Sequence, residues 1–71
     1  MANIKWTWVR KDTTRMINLV EDIEMIYPCF IEFDLVDNSV VIVCREEDKA
    51  RILKRLEKIG KRAWQNPKGM L

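Results

Sequence analysis

The 71-residue chain contains no histidine and only two cysteines, two glycines and two prolines. Each shortage removes a class of chemistry. Without histidine, no side chain has an ordinary titration near neutral pH, and no Cys–His or Ser–His pair can generate a nucleophile. The two cysteines, Cys29 and Cys44, fall short of the roughly four Cys or His ligands of a structural zinc site. Their spacing is not that of a CxxC redox pair, and they read as two buried free thiols rather than a disulfide. No apolar run approaches the roughly 20 residues that span a bilayer. The first residues, MANIKWTWVRK, lack the apolar stretch of a secretory leader because Lys5, Thr7 and Arg10 interrupt it. A cytoplasmic protein is the expectation. Neither a P-loop nor a dinucleotide fingerprint occurs. Acids such as Glu46 and Glu47 sit where a helix start favours them, and no pocket is implied around them. The chain therefore reads as non-enzymatic, with no catalytic residues, no metal and no cofactor.

What is present describes a small globular domain. Apolar content is 48% and charged content 34%, which is ordinary for a folded protein. Residues 1–71 read as one domain, with residues 66–71 as a short tail. Ile4, Trp6 and Trp8 alternate with Lys5, Thr7 and Val9, the period of two of a half-buried strand. Asp12 and Thr13 are expected to cap a helix. Its apolar stripe, Met16, Leu19, Val20, Ile23, Ile26 and Tyr27, follows at helical spacing. Pro28 ends that helix. A second strand is expected over residues 29–36, with Ile31, Phe33 and Leu35 on one face and Glu32 and Asp34 on the other. Asp37 and Asn38 suit a tight hairpin turn. The third strand, residues 40–44, is apolar on both faces, as a central strand is. Closure on Asp37-Asn38 would set Phe33 opposite Ile42 and Ile31 opposite Cys44. The second helix opens at Glu46, Glu47 and Asp48 and runs to Gly60, with Ile52, Leu53, Leu56 and Ile59 along one side. A last short strand is expected over residues 62–66.

This order of elements resembles the ferredoxin-like βαββαβ arrangement, an α+β fold with two helices on one face of a four-stranded antiparallel sheet. Such a topology implies an electrostatic map. From Lys49 onward eight bases stand against the single acid Glu57, whereas before it ten acids face five bases. Arg10, Lys11 and Arg15 at the start of the first helix would meet Lys58, Lys61 and Arg62 at one pole. Glu21, Asp22 and Glu24 would meet Glu46, Glu47 and Asp48 at the other. The charges of the second helix favour its own dipole, but those of the first oppose theirs. A concentrated field of one sign invites a polyanionic partner.

The first functional expectation is a nucleic-acid-binding module that contacts phosphate in RNA or DNA. Its site comprises Arg10, Lys11, Arg15, Lys54, Arg55, Lys58, Lys61, Arg62 and Trp64, the last as a stacking aromatic. Trp6 and Trp8 share a face with Ile4 and belong to the core. The open sheet face carries Lys5, Thr7, Val9, Val41 and Val43 without the aromatic pair on which an RRM stacks bases. The alternative is a protein-interaction module, such as a small inhibitor or adaptor of the kind mobile elements encode. Val9, Val41 and Val43 on the open sheet face, with Ile17 and Met25 off the helical stripe, are its interface residues. They also allow a homodimer. A membrane role is not expected, since the aliphatic side of the second helix is needed for the core.

Overall fold

The computed structural model describes the backbone of residues 1–62 and the side chains of residues 1–60. The first strand, β1, covers Ala2–Thr7. Its alternation is complete, with Ala2, Ile4 and Trp6 buried and Asn3 and Lys5 exposed. It begins two residues earlier than the pattern suggested and ends before Trp8, which is nevertheless buried. The Trp8 N–H donates to the Asn38 carbonyl at 3.1 Å and ties the strand's exit to the hairpin loop.

A 3-10 turn over Arg10–Asp12 leads into helix α1, Thr13–Ile26. The expected side-chain cap does not form at Asp12. Its carboxylate instead accepts from the Arg15 guanidinium at 3.3 Å, and the Thr13 hydroxyl donates back to the Arg10 carbonyl at 2.7 Å. The preceding 3-10 turn supplies the geometry that a cap otherwise would. Met16, Val20 and Ile23 are fully buried, while Leu19 and Tyr27 pack partly against them. Ile26 is exposed, contrary to the stripe expectation, because it falls at the stripe's edge in the last turn. Beyond it Tyr27 is already extended (φ −120°, ψ 140°), as a residue before proline prefers.

Strands β2 (Cys29–Asp34) and β3 (Ser39–Cys44) form the hairpin. Its register corrects the sequence reading: Phe33 faces Val40, Ile31 faces Ile42 and Cys29 faces Cys44. The connection is a four-residue loop, residues 35–38, rather than a two-residue turn. The cause lies in Asp34, whose Oδ1 accepts from the N–H groups of Val36 (3.0 Å) and Asp37 (3.1 Å). That aspartate turn closes the strand early, and Asn38 at φ 55° completes the reversal. Leu35 and Val36 thereby leave the strand and are exposed. The slip is by two residues, so each side chain keeps its face.

Helix α2 covers Glu46–Leu56 and stops short of Gly60. Tight bonds from Lys58 N to Arg55 O and from Ile59 N to Leu56 O wind it down, and Gly60 turns the chain at φ 81°. A Cβ at Gly60 would collide with the Thr7 carbonyl oxygen, so glycine is required there for approach as well as for φ.

The result is a small α+β fold with two helices and a three-stranded antiparallel sheet in the order β2-β3-β1. The backbone of Lys61 and Arg62 pairs antiparallel with β1, opposite Thr7 and Trp6. The rest of the expected last strand, residues 63–66, lies outside the described residues. Both helices contribute to one core. Met16, Val20 and Ile23 from α1 and Ile52 and Leu56 from α2 meet Ile4, Trp6, Val40, Ile42 and Cys44 from the sheet. The other face of the sheet carries no covering element among the described residues. The shortest dimension, 19 Å, fits one helix layer on one sheet, each layer being about 10 Å thick.

Candidate nucleic-acid interface

Two tryptophans, Trp6 on β1 and Trp8 just beyond its end, fix where the helix ends lie. Trp6 Nε1 donates to the Ile59 carbonyl at 2.7 Å, holding the exit of α2 against β1. Trp8 Nε1 donates to Thr13 Oγ1 at 3.1 Å, holding the start of α1 near the same end of that strand. The edge of the Trp8 ring also packs against Phe33, with centroids 6.2 Å apart. Both indoles are buried, as expected for core residues, and their N–H groups do the positioning. The start of α1 and the end of α2 therefore share one end of the sheet. A shallow cleft of about 340 Å³ lined by Thr7, Trp8, Val9, Asp12 and Gly60 lies between them.

At the opposite end, Ala2, Cys44 and Cys29 stand in one row across the sheet. Burial raises the Cys29 thiol above its ordinary pKa, and the nearby charges of Glu24 and Asp48 raise it further. Burial and Asp48 raise Cys44 likewise. Both thiols are free; Cys44 is fully buried, whereas Cys29 is only half-buried. Acids from the end of α1 and the start of α2 thus act on the same thiol, as the topology required.

The bases fall into two groups. Arg51, Lys54 and Arg55 on α2 and Lys58 in the turn just after it lie at i, i+3, i+4 and i+7 and line one surface groove of about 380 Å³. None of them forms an ion pair among the described residues. Arg55 is partly covered, with its guanidinium 6.0 Å from the centre of the Tyr27 ring, a cation–π contact that draws it toward the far end of α1. Arg10, Lys11 and Arg15 lie on the 3-10 turn and α1. Arg15 is engaged by Asp12 at 3.3 Å. Lys61 and Arg62 are located by backbone alone, beside β1, and Trp64 lies outside the described residues.

The interface residues also separate. Val41 and Val43 are half-buried on the open sheet face. Val9 is exposed just past β1, at the start of the 3-10 turn. Ile17 and Met25 belong to α1, on the covered side of the sheet, with Ile17 half-buried and Met25 85% exposed. The five do not make one surface.

Two features were not singled out from sequence. Phe30 stands opposite Val43 on the open face and is 73% exposed, so that face is not free of aromatics. The period of two in β2 already placed it beside Glu32. Asp48 is 2% exposed, an unusual depth for a carboxylate. It accepts from Arg45 Nε at 2.9 Å, and this bond raises the Arg45 pKa. The helical spacing of Asp48, Ile52 and Leu56 already set it on the inward stripe of α2.

Among the described residues no helix is long and apolar enough to cross a membrane, and no group of three or more His, Cys, Asp or Glu side chains could hold a metal ion. The chain matches no protein-family model, no curated protein and no solved structure.

Proposed function

We propose that this protein is a small non-enzymatic nucleic-acid-binding module that grips phosphate through the basic face of α2. The observation that carries the reading is the unpaired state of that face. Arg15 and Arg45 have carboxylate partners, whereas Arg51, Lys54, Arg55 and Lys58 share a groove and form no ion pair among the described residues. A run of cations that is neither neutralised nor needed for the core matches the repeating charge of a phosphate backbone. Arg10, Lys11, Lys61, Arg62 and Trp64 extend the surface in this reading. The backbone pairing of Lys61 and Arg62 with β1 supports a fourth strand at that edge, as the ferredoxin-like arrangement requires. Backbone contact is expected to dominate, because cations spaced along one face meet the repeating phosphate charge whatever the base sequence.

The test is a binding titration with short single- and double-stranded RNA and DNA at about 50 and 200 mM salt. Each phosphate contact adds about 0.9 to the slope of log K against log salt for duplex DNA and about 0.7 for single strands. The variant Arg51→Gln/Lys54→Gln/Lys58→Gln should lower affinity and flatten that slope by about two to three units. Absence of binding at the lower salt, or an unchanged slope in the variant, would sink the proposal.

A further inference from the structure

The open face of the sheet has a charge pattern that selects its own occupant. Three rows cross it from β2 through β3 to β1. They are Phe30, Val43 and Asn3; Glu32, Val41 and Lys5; and Asp34, Ser39 and Thr7. The β2 side is acidic through Glu32 and Asp34, the centre is apolar through Val41 and Val43, and the β1 side carries Lys5. Neither Lys5 nor Glu32 has an ion-pair partner among the described residues. Phe30 projects from the same face and is largely exposed.

We infer that this face is the interface of a symmetric homodimer, packed sheet on sheet about a two-fold axis that runs along β3. A rotation about that axis exchanges the two flanking strands, so β1 of one copy lies over β2 of the other. Lys5 of each copy then meets Glu32 of its partner at the same level, and Val41 and Val43 pack on their own counterparts. Phe30 covers Asn3 and Val43 of the opposing sheet. A two-fold axis running across the strands through this row would instead set Lys5 on Lys5 and Glu32 on Glu32. Charge therefore chooses the first axis and rejects the second. Aligned sheets pack in this way with side chains interdigitating across about 10 Å. The face spans three strands at ~4.8 Å spacing and six residues at ~3.4 Å rise, roughly 300 Å² of flat area. That is small for a stable interface, so the dimer belongs to the weak, concentration-dependent class. Both helix layers face outward in it, which turns two basic α2 grooves to opposite sides of one particle. This inference does not depend on what those grooves bind.

The test is sedimentation velocity of the full chain from about 1 to 500 µM, a range suited to a weak interface, with circular dichroism to confirm folding of every variant. The parent should shift from monomer to dimer across this range. Lys5→Glu alone and Glu32→Lys alone should each weaken association by about tenfold or more, because each sets like charges face to face. The double variant Lys5→Glu/Glu32→Lys should dimerise again. An equimolar mixture of the two single variants should form a heterodimer, since both of its pairs are then of opposite sign. A parent that stays monomeric throughout overturns the inference. So does a dimer indifferent to the single changes, or a double variant and a mixture that fail to recover.

Discussion

Gly60 is the residue at which a single added methyl group should do the most damage. Its φ of 81° lies where L side chains are disfavoured, and a Cβ there would run into the Thr7 carbonyl oxygen. The left-handed conformation costs a non-glycine residue about 1–2 kcal/mol. The collision adds about 1–3 kcal/mol, the usual cost of forcing extra volume into a packed site. It cannot be relieved by a side-chain rotation, because the obstructing atom is backbone, and Trp6 Nε1 would also lie only 3.0 Å from the added carbon. Gly60→Ala should therefore lose about 2–5 kcal/mol, much of the roughly 4–10 kcal/mol expected for a domain of this length. At about 4–8 °C per kcal/mol, the melting temperature should fall by about 8–40 °C. Asn38 provides the control. It also has positive φ (55°), in an exposed loop, so Asn38→Ala carries the conformational cost of about 1 kcal/mol without the steric one. Urea and thermal melts followed by circular dichroism would compare the two. If Gly60→Ala costs no more than Asn38→Ala, the close approach of the α2 exit to β1 is wrong.

Two further outcomes follow from the core and the thiols. Trp6→Phe keeps most of the buried ring but leaves the Ile59 carbonyl without its donor, at a cost of about 1–3 kcal/mol; a melt indistinguishable from the parent would contradict that bond. Both thiols have raised folded pKa values, so their neutral forms cost nothing below the unfolded value of about 8.5, and stability should decline as pH rises from there through the folded values. Urea midpoints at pH 7, 8.5 and 10 would show this, and a Cys29→Ser/Cys44→Ala variant should lose that part of the decline. In the native protein a thiol reagent should modify the half-buried Cys29 before the fully buried Cys44.

The order of strands and α-helices was legible from residue 1 to the end of α2 because each carries its own period, whereas the 3-10 turn at Arg10–Asp12 has none and was not. Alternation in β1, the spacing of Met16, Val20 and Ile23 and the continuous apolar run of β3 are local signals that burial then rewards. The faces were legible for the same reason, and the hairpin could slip by two residues without disturbing them. The register itself was not legible. It was decided by one Asp34 carboxylate capturing two backbone N–H groups, which competes with a two-residue turn at the same place. The length of α2 was also misjudged, since Gly60 marks the turn after the helix rather than its C-terminal cap.

For the candidate site, composition alone determined that positive charge concentrates after Lys49 and that chemistry based on histidine is absent. Helical periodicity was enough to align Arg51, Lys54, Arg55 and Lys58. What only the tertiary structure decided is the neighbourhood of each charge. It gave Arg55 to the ring of Tyr27 and, among the described residues, left the α2 groove without an ion pair, whereas the Arg15–Asp12 and Arg45–Asp48 pairs are local, three residues apart. It also put Phe30 beside Val43 and set Glu32 and Lys5 on either side of Val41. The physical reason is range. Periodicity and dipole preference act within a few residues and can be read along the chain. Pairing, desolvation and the exposure of a face depend on atoms brought together from strands and helices far apart in sequence.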